Sequence, residues 1–481
     1  MKQSVFMPLL LALVFALCLL MLTGCTQATP AQPETTAETA APTVREEAAL
    51  PTGSFASADG SLEYTWELGE VQVPDTLPVV EVTPHFLTGE DMKHICRGLL
   101  GDVPFYDLGP LSQRQLSRDQ LQKKIDIMNL YQDQETLMNL WKSDDNAAYL
   151  SEHNRALEYL KETLKTAPEQ NNLKPCDWQI KNEKDYDDYL NSEGYQTLRA
   201  TANVNGIDYY CDLFLNEQAT EHRDVSNWMK LSLGTDDTYS TVEHHIRSQL
   251  CTSPEPTQAQ YDAVVQKAQA MLDAMGMGEY KAVNPRYDPN YFGDEERFEI
   301  YVDVVPVFEG VPALAGHWGQ NYLGSQPYST TYGITRGIFS FSPKGDLINF
   351  NLGSLVEQDG VLDPAAAVLP LEELANKAQA ILTAYDVNAI SASGGNWILW
   401  QHGTENLTCK VRITGVDFGL ARYSPYGNEQ RFVYQPAAAF RGTVAYYDRQ
   451  TGELITTSDD TSVGIGQAPL VVLNALDGTV I

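Results

Sequence analysis

Side chains able to do chemistry are thinly spread along this chain of 481 residues, which holds only eight histidines and seven cysteines. His244 and His245, beside Glu243, form the one adjacent histidine pair. Neighbouring side chains point in different directions on a helix or a strand, so the pair suits a single metal ion poorly and reads as surface or partly buried. His85, His94, His317 and His402 are too scattered for the sequence alone to bring together. The acidic runs Asp236-Asp237 and Asp294-Glu295-Glu296 lack the spacing of a calcium loop and read as solvated loops. There is no Gly-x-Ser-x-Gly elbow, His-Glu-x-x-His helix, phosphate-binding loop or dinucleotide fingerprint. The expectation is a protein without catalytic residues, metal or cofactor.

One segment differs in kind. Gly316 to Tyr328 mixes glycine, aromatic and amide side chains in what the pattern makes a long inter-strand connection. Long loops are often functional, and aromatic faces with amide donors suit sugars or peptides. His317, Trp318, Asn321, Tyr322 and Tyr328 are the candidate ligand contacts. Trp397 and Trp400, beside Gly394-Gly395, are a lesser candidate, since aromatics near strands commonly pack in cores or across strands.

The N-terminus carries a different chemistry. Val5 to Leu22 is an apolar run broken only by Pro8, preceded by Lys2 and followed by Thr23-Gly24-Cys25. This has the form of a secretory signal, with an uncleaved anchor as the alternative, because about 18 to 20 apolar residues can span a bilayer. Leu22-Thr23-Gly24-Cys25 resembles the bacterial lipobox. That resemblance implies a diacylglyceryl group on Cys25, removal of residues 1–24, and membrane attachment on the extracytoplasmic side. Two or more acyl chains anchor stably where one binds only marginally.

With Cys18 in the signal and Cys25 lipidated, Cys96, Cys176, Cys211, Cys251 and Cys409 remain. Five widely spaced residues with no Cys-x-x-Cys argue against a disulfide framework or a zinc cluster. Buried free thiols are the expectation, and one bridge stays open outside the cytoplasm.

Acidic residues number 64 against 32 basic ones, a formal charge of −32, which excludes a dedicated nucleic-acid binder. Residues 25–70 begin as a Thr/Ala/Pro/Glu-rich stretch with no aromatic before Phe55 and are expected to form a flexible tether.

Residues 71–250 are expected to form an N-terminal α+β region with a helical insertion near 113–166. Leu77 to Val82 reads as a strand, and Thr88-Gly89-Glu90-Asp91 as the cap of a helix reaching about Leu100. Leu121, Ile125 and Met128 mark a helix that could run on to Trp141, and Leu150, Leu157, Leu160 and Leu164 mark another. Asn205-Gly206 predicts a tight hairpin.

Past residue 255 the sequence repeats. Tyr261, Val264, Val265, Ala268, Met271, Leu272 and Met275 form one helical face, between Thr257 as cap and Gly276 as stop; adding 110 gives Leu371, Leu374, Ala375, Ala378, Ile381, Leu382 and Tyr385. Lys267-Ala268-Gln269-Ala270 returns as Lys377-Ala378-Gln379-Ala380. Arg336-Gly337 leads to Gly345-Asp346-Leu347-Ile348, as Arg441-Gly442 leads to Gly452-Glu453-Leu454-Ile455, at offsets of 105 and 107. Two related helix-plus-sheet modules, 255–360 and 365–481, are therefore expected, and the fold class is read as α+β, with helices packed on antiparallel sheets and a more helical N-terminal region.

Asp448 to Ile455 is similar to the closing hairpin of PepSY-type modules, and Val471 to Ile481 also resembles the C-terminal strands of extracytoplasmic regulators of sensor kinases. The whole chain resembles Gram-positive bacterial lipoproteins of a domain-of-unknown-function family. The resemblance implies binding or regulation of a protein or cell-wall partner rather than catalysis. A solute-binding lipoprotein is the second reading and a surface hydrolase the third.

Overall fold

The computed structural model describes residues 44–46, 51–109, 115–141, 146–182, 195–216, 227–233, 240–251, 255–292, 295–314, 336–353, 355–391, 402–423, 432–457 and 469–481. These lie in the unit Pro42–Ile481.

The chain opens with β1 (Val44–Glu46), β2 (Gly53–Ala56), β3 (Leu62–Trp66), β4 (Gln72–Pro74), β5 (Thr76–Pro84), α1 (Gly89–Leu100) and β6 (Phe105–Asp107). Three helices follow: α2 (Arg118–Met128), α3 (Gln134–Trp141) and α4 (Asn146–Thr166). Then come β7 (Lys174–Pro175), β8 (Lys181–Asn182), β9 (Tyr195–Val204), β10 (Ile207–Asn216), β11 (Asn227–Leu233), α5 (Ser240–Leu250) and α6 (Gln258–Ala274). The next run is β12 (Tyr280–Phe292), β13 (Glu295–Phe308), β14 (Val311–Pro312), β15 (Arg336–Phe341), β16 (Leu347–Gly353) and β17 (Val356–Ala367). The chain closes with α7 (Leu371–Thr383), α8 (Val387–Ser391), β18 (Leu407–Tyr423), β19 (Phe432–Asp448), β20 (Leu454–Thr457) and β21 (Pro469–Asn474).

The protein is mostly β-sheet, which corrects the α+β expectation of helices packed on sheets with a more helical N-terminal region. One sheet of eleven strands runs β12-β13-β15-β16-β11-β10-β9-β6-β7, with β14 also on β13 and β8 on β9, and a second of eight runs β17-β5-β19-β18-β3-β2, with β20 and β21 also on β19. Helical periodicity stands out in a sequence, whereas the long strands β18 and β19, of 17 residues each, leave a fainter mark, and only the end of β19 around Arg441-Gly442 reads as strand. The N-terminal region itself supplies β6, β9, β10 and β11 to the first sheet and β5 to the second.

The folded body also starts before residue 71. Leu62, Tyr64 and Trp66 are buried on one face of β3, with Glu63 and Thr65 on the other, and β3 pairs in parallel with β18. Alternation of this kind buries one face of a strand, and the Thr/Pro-rich composition upstream concealed it. β1 pairs with β4.

Local signals account for many element ends. Thr88 caps α1, its side chain accepting from Asp91 N while Asp91 accepts from Thr88 N at 2.7 Å. The helix through Leu121 and Met128 does not run on to Trp141, because a short 3₁₀ turn, Asn129–Tyr131, separates α2 from α3. Asn205 and Gly206 adopt φ of 54° and 86° and close the β9–β10 hairpin.

Each large sheet has its own apolar core. On the first, α1 and α6 bury Met92, Ile95, Val264, Ala268 and Leu272 against Leu213, Leu231, Ile300, Val302 and Phe350. On the second, α7 buries Leu371, Leu374, Ala378 and Leu382 against Tyr64, Val80, Val411, Tyr434 and Phe440. β13 serves both: Ile300, Val302 and Val304 lie in the first core, while Val305 and Phe308 enter the second, the Phe308 ring 4.7 Å from that of Tyr434. A third, smaller cluster of Leu121, Ile125, Met128, Leu157, Leu160 and Val242 holds α2, α4 and α5 together.

Behind α6, the strands β13, β15 and β16 are antiparallel neighbours; behind α7, the neighbours are β18, β19 and β20. In both, the second strand begins or passes through an Arg-Gly pair with no room for a side chain. A Cβ on Gly337 would stand 2.4 Å from Val304 Cβ, and one on Gly442 2.0 Å from Arg412 O.

Candidate functional site

Arg297, Glu299, Tyr301 and Asp303 alternate along β13 with Phe298, Ile300, Val302 and Val304, so one face of this strand is polar while the other enters the core. Glu299 is fully buried. Its carboxylate accepts hydrogen bonds from Ser340 Oγ at 2.7 Å, Tyr301 OH at 3.0 Å and Arg247 Nη1 at 3.3 Å, with Cys251 Sγ at 3.7 Å. Arg247 is also paired with Glu243 at 3.1 Å, one turn earlier in α5. Arg297 donates to the carbonyls of Ser248 and Cys251 at the end of the same helix. Asp303 pairs with Arg286 at 2.7 Å and accepts from Asn284 at 3.0 Å.

The same face continues across the sheet. Tyr210, Ser232, Asn349, Ser340 and Tyr301 stand in successive register on β10, β11, β16, β15 and β13. Asp212 accepts from Thr197 Oγ1 at 2.9 Å and lies 3.6 Å from Arg199. Chemically this is a seam. Glu299 has spent its acceptor positions on protein donors and cannot reach a substrate, and burial beside Glu299 holds the Cys251 thiol well above its usual range, so it stays protonated.

The second sheet offers an open surface instead. A groove of about 400 Å³ runs over its outer face, lined by Glu63 and Thr65 of β3, Glu67 just after it, Lys410 and Arg412 of β18, Thr443, Ala445 and Tyr447 of β19, and Thr457 of β20. These side chains face out because Tyr64, Val411, Val444 and Tyr446, between them, face the core. Glu63 is in register with Lys410, and Thr65 with Arg412. Arg412 lies 3.3 Å from Glu67, and Lys410 Nζ sits 5.3 Å from the Tyr447 ring centroid. All four charged side chains are exposed, which leaves them available to a ligand. Further along the face, Arg441 and Asp417 form a two-point pair at 2.6 and 2.5 Å. Burial raises the Asp417 carboxyl above its ordinary range, and Arg441 opposes the shift.

The residues singled out from sequence fare differently. Cys25 and the whole loop with His317, Trp318, Asn321, Tyr322 and Tyr328 lie outside the described residues, as do Trp397, Trp400, Asp236 and Asp237. His244 and His245 lie on α5, where His245 Nδ1 is 2.7 Å from Tyr131 OH and burial lowers its pKa. His85 pairs with Glu357, and His94 is exposed on α1. Among the described residues no group of three His, Cys, Asp or Glu side chains is placed to hold a metal ion. Glu295 and Glu296 open β13 rather than sitting in a loop. No helix among the described residues is long and apolar enough to cross a membrane.

Sequence reasoning missed both the seam and the groove. The alternation in β13 was a readable signal. The Arg247 partner was not, since 52 residues separate it from Glu299.

No protein-family model and no curated protein matches the chain. Among solved structures, the chain is similar to the crystal structure of an uncharacterized protein from Eubacterium rectale ATCC 33656, at 9% identity and a TM-score of 0.34, over 86% of this chain and 96% of that one. At that distance the likeness carries no functional argument.

Proposed function

We propose that the chain is a non-enzymatic lipoprotein, anchored through Cys25 outside the cytoplasm, that binds a protein partner of the cell envelope through the groove on the second sheet. The observation that carries this reading is the groove itself: two exposed acids, two exposed bases, three threonines and an aromatic ring on a rigid sheet face. A surface of mixed sign complements another protein surface. A polyanionic wall polymer fits less well, because a chain of formal charge −32 repels it within a Debye length of about 8 to 10 Å. The closed seam around Glu299 supports binding over catalysis.

The two helix-led sheet units, each with a side-chain-free Arg-Gly position, favour descent from one duplicated PepSY-like module.

Fractionation tests the anchoring. The wild-type protein is expected in the membrane fraction with acyl chains on an N-terminal Cys25, and Cys25→Ala in the soluble fraction. Tight membrane retention of Cys25→Ala would mean an uncleaved apolar helix instead.

A further inference from the structure

The hairpin from Asp448 to Ile455 aims an apolar side chain into solvent. Asp448 Oδ1 accepts from Gln450 N at 2.8 Å and Thr451 N at 2.7 Å, and Asp448 N donates to Glu453 O at 2.9 Å, so the turn between β19 and β20 is closely held. Gly452, at φ 72°, supplies the left-handed backbone of the reversal. Past the turn the register shifts by one residue: Tyr446 is opposite Thr456, yet Tyr447 is opposite Leu454. Thr456 is buried and Ile455 packs against the second core. The bulge therefore turns two successive side chains inward and sends Leu454 outward, where strict alternation would have buried it. Leu454 is 54% exposed. Of the large apolar side chains left exposed among the described residues, it alone is in register with a residue lining the groove.

The charges beside it are committed unevenly. Arg412 is paired with Glu67 at 3.3 Å. Glu63 and Lys410 are in register on β3 and β18, strands about 4.8 Å apart, but among the described residues neither forms an ion pair. Lys410 leans the other way, its Nζ 5.3 Å from the Tyr447 ring centroid, within cation–π range. One end of the groove thus presents an aromatic ring, an exposed leucine, an ammonium and a carboxylate, with the last two uncommitted to each other.

We propose that this end of the groove seats one apolar side chain of a partner protein against Tyr447 and Leu454, with a partner carboxylate on Lys410 and a partner base on Glu63. The inference rests on the groove being the binding face, and it names what the partner carries there: an apolar anchor beside an acid and a base in fixed order. Apolar and aromatic anchors inside a polar rim hold most of the energy of protein contacts. A fixed order of charges adds specificity, because a partner with the order reversed meets like charges. A polyanion brings neither the anchor nor the base, and a neutral sugar leaves both charges unmatched.

The full-length protein carrying benzoylphenylalanine at Thr443 is irradiated in intact cells, and the yield of its protein adduct is compared among variants. Leu454→Ser should lower the yield about tenfold, as for the loss of one anchor contact, while Leu454→Met should retain it. The paired swap Glu63→Lys with Lys410→Glu leaves the net charge unchanged and should also lower the yield about tenfold. Glu63, Lys410 and Leu454 are exposed, so the thermal midpoint should not move; if Leu454→Ser does lower it, the swap alone decides. An adduct that persists in the swap or in a stable Leu454→Ser, or that Leu454→Met loses as fully as Leu454→Ser, overturns the inference and leaves the groove as a binding face. No adduct from the protein without these substitutions removes the groove reading and the inference with it.

Discussion

Arg247 Nη1 lies 3.3 Å from the fully buried carboxylate of Glu299, and this contact ties α5 to the polar face of the first sheet. Removing one member of a buried pair leaves the other charge without compensation, at a cost of about 3–5 kcal/mol. Arg247→Ala is expected to lose stability in that range in chemical denaturation. A loss below about 1 kcal/mol would show that Glu299 draws its support from Ser340 and Tyr301 alone.

The helical cluster is expected to loosen in acid. Burial lowers the pKa of His153 and His245 below the ordinary value of 6.5, and both contact neighbouring elements, His153 through Thr241 at 3.2 Å and His245 through Tyr131. A depressed histidine binds protons more readily when unfolded, so stability from these groups is present above pH 6.5 and is lost as pH falls through the folded pKa. Protection factors in α4 and α5, taken relative to the intrinsic exchange rate at each pH, should fall over that interval. The effect should vanish in a His153→Gln, His245→Gln double variant.

Leu272 and Leu382 occupy matching positions on α6 and α7 and are fully buried in different cores. Replacement of either by Ala should cost about 2–5 kcal/mol, read from urea midpoints. A negligible loss in one only would mean that the two helices do not carry equivalent load.

The Arg-Gly positions make a sharper comparison. Gly337→Ala and Gly442→Ala each push a methyl group into Val304 or into the Arg412 carbonyl. Both should lower the thermal midpoint measurably, as overpacking costs about 1–3 kcal/mol. Full stability of either variant would refute the close strand approach.

Legibility followed the range of the interaction. The Asn205-Gly206 turn and the Thr88 cap depend on residues a few positions apart, and both stand where the sequence places them. The buried faces of α6 and α7 were readable because 3.6-residue periodicity is itself local. The balance of helix to sheet was not, since β3 pairs with β18 across more than three hundred residues and its few apolar positions carry no mark of that partner. The groove was hidden for the same reason: Glu63 meets Lys410 and Thr443 only once β3 aligns with the distant β18–β19 pair. The lysine of the repeated tetrapeptide finds its partner only in the fold, in one copy, where Lys267 Nζ donates to Gly345 O at 2.6 Å.

The central claim is that the groove on the second sheet holds a protein partner, and photocrosslinking in intact cells tests it most directly. A benzoylphenylalanine placed at Thr443 is expected to yield a discrete protein adduct. That adduct should disappear when Lys410→Glu and Arg412→Glu are combined, and should not form from the exposed Lys123 of α2. No adduct from position 443, or the same adduct from position 123, would contradict the account.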